Sequence, residues 1–254
     1  MSTALLITFV LEILLMIGLP LAAVFWLKRK WALPLSIALA GAATFVGSQV
    51  LHIPANAALA AAFKMEAQPL IVQAIVLGLS AGIFEEVARY VVYRFWQTEV
   101  RSWQGAVFFG LGHGAVEAIL TGLLVALTLA NVMVITNAED LAALELPEGT
   151  MAQVEDFLTT PLYLPALAVL ERVMAITLHV GLSTLVALCF ARKTIWPLLV
   201  AILWHALADA VAVYVNQQWG AIASEGALAI IALVSVGIIW WTRRSGNLPA
   251  IDEA

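Results

Sequence analysis

The chain has 254 residues, of which 63% are hydrophobic and only 11% are charged. Soluble globular domains carry about 25% charged residues, so this composition excludes an ordinary soluble domain and indicates a protein surrounded by lipid. The net charge of -5, with no basic patch, argues against a nucleic-acid partner. The single cysteine, Cys189, excludes a disulfide framework and a cysteine-based zinc site.

Seven apolar runs are each long enough for a transmembrane helix, which needs about 20 residues. In chain order they lie at residues 4–27, 32–53, 70–94, 103–130, 162–190, 195–216 and 222–242. These runs leave no room for a soluble domain. The sequence therefore predicts an all-α transmembrane bundle, with residues 1–254 forming a single domain. We expect the first run to be a retained span, because its basic residues follow the apolar stretch instead of preceding it.

The basic residues predict how the bundle is oriented. Nine of the twelve Lys and Arg residues fall at span ends on one side, namely Lys28, Arg29, Lys30, Arg94, Arg101, Arg192, Lys193, Arg243 and Arg244. By the positive-inside rule this side is cytoplasmic, so the N-terminus lies outside and the C-terminus inside. The acidic loop 136–160, which contains no Lys or Arg, then lies outside. We expect a bacterial or archaeal cytoplasmic membrane.

Four predicted spans carry ionisable residues deep within apolar sequence. They are Glu85, Glu86 and Arg89, then His113 and Glu117, then Glu171, Arg172 and His179, and finally His205 and Asp209. Glu85 and the three histidines lie about 14 to 20 Å from the basic ends of their spans, at a rise of about 1.5 Å per residue. Because ionisable groups are costly in lipid, residues at one depth are expected to converge on an interior pocket. Glu12 has no evident partner, and its role stays open.

Three pairs of these residues are spaced four apart and therefore share a helix face: Glu85 with Arg89, His113 with Glu117, and His205 with Asp209. Each histidine in these pairs has a carboxylate in reach that can fix its tautomer. Glycines on both sides of His113 remove bulk where a neighbouring helix or a substrate backbone comes close.

Carboxylates beside imidazoles in a shielded pocket support two kinds of hydrolysis. A glutamate can act as general base toward water, while a histidine or arginine stabilises the oxyanion. Alternatively, Glu85, His113 and His205 can hold Zn²⁺ with a water in the open position. The sequence contains no His-Glu-x-x-His helix, so the best-known zinc protease motif is absent. Both mechanisms stay open.

Three motifs carry a family resemblance: Glu85-Glu86-x-x-Arg89, Phe109-x-x-x-His113 and His205-x-x-x-Asp209. In this order on successive spans they resemble the motifs of the CAAX-protease and bacteriocin-processing superfamily of intramembrane proteases. The run at 112–117 and the additional His179 are most similar to the YhfC-type membrane peptidases of bacteria. The same superfamily includes the seven-span anterior-pharynx-defective subunit of gamma-secretase. The resemblance covers residues 70–216.

The resemblance implies hydrolysis of a peptide bond in a membrane-embedded or membrane-proximal substrate. It implies that Glu85 activates water with support from Glu86 and Arg89, and that His113 positions this water. It further implies that His205 and Asp209 bind the oxyanion or a metal. Glu117 and His179 complete the candidate catalytic set. The prenyl-protein proteases place the arginine one residue later, which argues against prenylated substrates in particular.

Two other functions are consistent with the same residues. A non-catalytic scaffold would keep the polar cluster for helix packing and would bind membrane partner subunits. A proton- or ion-coupled transporter also needs buried Glu, His and Arg, but the sequence has no internal repeat and no paired broken helices. The expected partners are membrane lipid and a membrane protein or peptide substrate.

Overall fold

The computed structural model describes residues 1–138, 146–244 and 248–249. In these residues it contains a short 3₁₀ turn at Met65–Ala67 and the α-helices α1 (Thr3–Trp31), α2 (Leu35–Phe63), α3 (Leu70–Phe95), α4 (Trp103–Thr136), α5 (Thr150–Leu158), α6 (Leu164–Ala191), α7 (Trp196–Trp219) and α8 (Ala221–Arg244). Every one except α5 is long and apolar enough to cross a membrane, which gives seven candidate spans. No strand occurs in the described residues. The prediction of an all-α, seven-span bundle is confirmed.

The second span is longer than predicted. Its predicted end is at residue 53, but α2 continues through Pro54 to Phe63. Proline is tolerated in transmembrane helices, where neighbouring groups satisfy the freed backbone carbonyl, and the alanine-rich sequence that follows favours helix. This extension adds the polar side chain of Asn56, which contacts His52 and Ser80.

The predicted acidic loop 136–160 contains a short helix, α5, which packs on the first span. Phe157 of α5 stacks on Phe9 of α1, with ring centroids 4.3 Å apart. Part of the loop, including the acidic residues Glu139, Asp140 and Glu145, lies outside the described residues.

Helix α6 is the most enclosed span of the bundle. In its apolar window 72% of the residues are buried, compared with 22–39% in the other six spans. The other spans present apolar side chains outward, and Leu14, Val50, Leu124, Leu203 and Leu233 are each more than half exposed. These outward faces contact lipid, whereas α6 contacts mostly protein. A span that lies inside the bundle can carry ionisable residues without exposing them to hydrocarbon.

Glycines next to His113 allow two helices to approach α4 closely. A Cβ atom on Gly112 would lie 2.0 Å from the Ala38 carbonyl oxygen of α2, and one on Gly114 would lie 2.9 Å from the Ile176 Cα of α6. Transmembrane helices that meet through small residues bring their backbones into contact. The expectation that a neighbouring helix packs at these glycines is confirmed.

Replacing Gly112 with alanine should destabilise the bundle. The new methyl group would collide with a backbone carbonyl that can move only with its helix, a type of overpacking that costs about 1–3 kcal/mol. Gly18→Ala is the matched control, since a Cβ there meets nothing within 4 Å. The free energy of unfolding, measured by SDS titration of purified protein, should fall for Gly112→Ala alone. Equal stability of the two variants would contradict this packing.

Candidate active site

The Glu85 carboxylate lies where α2, α3, α4 and α7 meet. Gln49 of α2 donates from Nε2 to Glu85 Oε1 at 2.9 Å, and His113 Nε2 of α4 lies 3.0 Å from Oε2. His205 Nε2 of α7 lies 3.9 Å from the same oxygen. Because an ionised carboxylate only accepts hydrogen bonds, His113 carries its proton on Nε2. Two donors therefore fix the orientation of Glu85.

A chain of hydrogen bonds extends from Glu85 along α2. Ser80 donates to Asn56 Oδ1 at 2.5 Å, Asn56 Nδ2 lies 2.9 Å from His52 Nε2, and His52 Nδ1 lies 3.2 Å from Gln49 Oε1. With the His52 proton on Nδ1, every bond in this chain donates toward Glu85. Sequence reasoning missed this chain, although Gln49, His52 and Asn56 are spaced to share one face of a helix.

An ion pair on α3 orients two histidines. Arg89 Nε lies 3.0 Å from Glu86 Oε2, and both side chains are fully buried. Glu86 Oε1 lies 2.9 Å from His205 Nδ1, so this nitrogen carries a proton, and a neutral ring would have its lone pair on Nε2. Arg89 donates to the His179 backbone carbonyl at 2.9 Å, and its Nη2 lies 3.3 Å from His179 Nδ1.

Glu117 joins α4 to α6. Its Oε2 lies 2.6 Å from His179 Nε2, and its Oε1 accepts from Arg172 Nη1 at 2.8 Å. Arg172 also pairs with its neighbour Glu171. Arg172 and His179 of α6 thus contact the same carboxylate.

The hydrogen-bond partners differ from those that the four-residue spacing suggests. His113 pairs with Glu85 of α3 and not with the carboxylate four residues further on. His205 pairs with Glu86, while Asp209 Oδ2 is 3.7 Å from His205 Nε2. Residues four apart share a helix face, but the centre of the pocket lies between helices, so the shorter contacts form across the helix interfaces. The predicted contact of His113 with Glu117 was therefore wrong, whereas His205 and Asp209 do lie at ion-pair distance, and the same residues converge.

Glu85, His179 and His205 form a group that could hold a metal ion. Each offers one ligand atom, and these atoms lie within 4.8 Å of one another. One carboxylate and two imidazoles form a common catalytic zinc set, and ligands at about 2.0–2.2 Å from zinc lie roughly 3.4 Å apart, so a modest contraction would complete the site. The donor set fits zinc.

His179 takes the place that the sequence analysis assigned to His113 in the metal group. His113 directs Nε2 at Glu85, and its Nδ1 is buried with no hydrogen-bond partner in the described part of the chain. The ring of His113 lies against that of His179, with centroids 4.6 Å apart. His113 therefore supports the metal group from one side.

A polar cavity of about 100 Å³ reaches this group. Its wall includes Glu85, Glu117, His179, His205 and Asp209. A water molecule needs roughly 10–15 Å³ of such space, so several waters fit beside the three ligand groups.

Comparison with known proteins gives a family. The family model described as "YhfC intramembrane metalloprotease" matches residues 13–232, which include all the predicted site residues. The chain belongs to the YhfC family. It is also 33% identical over 233 residues to the "Uncharacterized membrane protein YhfC" of Bacillus subtilis (strain 168), covering 88% of this chain and 89% of that relative. No solved structure matches. The YhfC resemblance is confirmed, whereas the wider superfamily and the gamma-secretase relation stay predictions.

In this YhfC family member, Arg89→Met should be strongly destabilising. The substitution leaves the fully buried Glu86 without its cation, and breaking one side of a buried ion pair costs about 3–5 kcal/mol. Arg94→Met, at an exposed position on the same helix, is the matched control. SDS titration should show a large loss for Arg89→Met and little change for Arg94→Met. A small loss at Arg89 would mean that the pair does not organise the site.

Proposed function

We propose that this protein is an intramembrane peptidase that uses zinc held by Glu85, His179 and His205. The observation that carries the proposal is the convergence of these three groups, from α3, α6 and α7, on the wall of a polar cavity of about 100 Å³. Its substrate is a membrane-embedded or membrane-proximal peptide. The description of the YhfC family as intramembrane metalloproteases supports the same reaction class.

Neighbours orient all three ligand groups, and His179 Nε2, which contacts Glu117, would exchange this contact for zinc. Glu86 accepts from His205 Nδ1, Gln49 donates to one oxygen of Glu85, and Arg89 binds the backbone of His179. Such outer contacts fix the tautomer and orientation of metal ligands. A zinc ion bound here would lower the pKa of a water molecule and polarise the substrate carbonyl.

Asp209 is the carboxylate best placed to move protons in this cavity. Glu85 and Glu117 are each held by two donors, whereas Asp209 accepts no hydrogen bond from the described residues. Its side chain is 39% exposed and lies 3.7 Å from His205 Nε2. Asp209 would take the proton from the attacking water and deliver it to the leaving amine, the usual task of a general acid–base.

Arg172 would bind the substrate carbonyl oxygen. It lines the cavity next to Asp209, and the contacts to Glu117 and Glu171 hold its guanidinium in place. A guanidinium has five N–H donors, so donors remain for an oxyanion after both carboxylates are satisfied.

The zinc content of variants tests the ligand set. Wild-type protein purified without chelators should contain about one zinc ion per chain, as three protein ligands and a water bind one ion. His179→Gln and His205→Gln should lose most of this zinc, since each removes a ligand. His113→Gln should retain it, because a glutamine amide can still donate to Glu85. Elemental analysis measures the zinc content of each variant. Loss of zinc from His113→Gln, with zinc retained by His179→Gln, would support the ligand set predicted from the sequence, which contains His113 in place of His179.

Cleavage assays test the role of Asp209. In proteoliposomes containing fluorogenic transmembrane peptides, Asp209→Asn should keep its zinc and lose about 10²- to 10⁴-fold in cleavage rate, the range of general acid–base catalysis. Glu66→Gln, an exposed carboxylate outside the spans, is the matched control and should cleave normally. Full activity of Asp209→Asn would reject this role. Zinc binding without any cleavage by wild-type protein would favour the scaffold.

A further inference from the structure

A second cavity, of about 380 Å³, adjoins the catalytic cavity between α6, α7 and α8. We call it the α8 cavity. Glu171, Ala212 and Leu228 belong to the walls of both cavities, so the two cavities are adjacent. The wall also includes Leu164 and Ala221, the first residues of α6 and α8. The α8 cavity therefore lies at the end of the bundle opposite the basic residues.

The α8 cavity contains a buried carboxylate without a partner. Glu225 of α8 is 8% exposed, and its Oε2 has no hydrogen-bond partner in the described residues. Asn216 and Ser224 add an amide and a hydroxyl to the same wall.

The described wall of the α8 cavity includes one carboxylate, that of Glu225, that no resident cation balances. Its charged members are Glu171 and Glu225, with no Lys or Arg among them. The nearest arginine of the catalytic cavity, Arg172, is already shared by Glu117 and Glu171. Glu86, by contrast, is buried together with its own arginine. Intramembrane carboxylates are costly and are usually retained for function, which indicates that Glu225 receives its cation from a ligand.

We propose that the α8 cavity binds a positively charged group of the peptide substrate, either a lysine side chain or a free amino terminus. An ammonium group has three N–H donors, which match the carboxylate of Glu225, the amide oxygen of Asn216 and the hydroxyl of Ser224. The cavity is larger than a single metal ion needs and adjoins the catalytic cavity, as expected of a subsite for an extended peptide. This inference rests on the proposed peptidase function and names its substrate class.

The position of the α8 cavity also fixes where the charge lies on the substrate. With the basic end of the bundle in the cytoplasm, as the positive-inside rule requires, the cavity opens on the outer face of the membrane. The bound residue then lies at the outer end of the substrate's membrane-spanning segment, and the bond to be cleaved lies deeper.

Binding of matched peptides tests the proposal. The probes are three labelled single-span peptides that carry Lys, Gln or Glu at both flanks, so that their orientation in a nanodisc does not matter. Wild-type protein should bind the Lys peptide roughly 10- to 100-fold more tightly than the Gln peptide, as a buried charge-assisted hydrogen bond supplies about 1.5–3 kcal/mol. The Glu peptide should bind most weakly. Fluorescence anisotropy gives the three Kd values, and mass spectrometry verifies that the peptides stay intact.

Glu225→Gln should remove the preference for Lys while leaving the affinity for the Gln peptide unchanged. Glu12→Gln is the matched control, because Glu12 is likewise buried with an unpartnered Oε2 but lies on α1, outside the cavity. It should keep the full preference. Size-exclusion profiles identify any variant that fails to fold, and the Lys-to-Gln comparison in wild-type protein is independent of every variant.

The outcomes separate this inference from the proposed function. Equal affinity of wild-type protein for the Lys and Gln peptides, or an unchanged preference in Glu225→Gln, overturns the cation subsite even if the protein cleaves peptides. A Glu225-dependent preference without any cleavage keeps the subsite and rejects the peptidase. If Glu225→Gln takes up less zinc but keeps its preference for the Lys peptide, the α8 cavity is a path for metal ions. The proposed cation subsite would then be wrong.

Discussion

A buried ion pair within one turn of α3 sets the geometry of the whole site. Arg89 and Glu86 have no exposed surface, so each is stabilised by the other and by the groups they jointly contact. Arg89 holds the backbone of α6 at His179, and Glu86 holds the ring of His205 on α7. Three helices are thus joined through a single pair of charges. The remaining catalytic candidates are positioned relative to these two histidines.

The sequence could predict that ionisable residues converge, but not which of them touch. Convergence follows from depth, because lipid penalises each group separately and four spans carry such groups at one level. Partner choice depends on how closely neighbouring helices approach and on their rotation about their own axes. Close contacts at Gly112 and Gly114 set that approach around His113. The spacing of residues along the sequence does not give the rotation of each helix about its axis. The group that could hold a metal accordingly contains His179, while His113 hydrogen-bonds to Glu85 from outside that group.

The contribution of α2 was missed for a different physical reason. Gln49 and Asn56 are neutral amides, which an inventory of ionisable residues omits, and Asn56 lies beyond the predicted end of the second span. Within lipid, however, an amide has the same need for a partner as a charged group has, since no water is available. A helix face with neutral polar residues is therefore as informative about a buried site as one with charged residues. The seven-span architecture was predictable because length and apolar composition alone determine it.

Glu117 of α4 and its partners on α6 enter the membrane at different times, because a ribosome makes the spans one after another. Both groups that neutralise Glu117 belong to α6, which follows α4 in the chain and enters the bilayer after it. Insertion scales put the cost of a charge at the bilayer centre at about 2.5–3.5 kcal/mol. The nascent chain bears such a cost until α6 docks at His179 and Arg172. A chain truncated before α6 would therefore hold Glu117 in the bilayer without the two groups that neutralise it in the complete bundle.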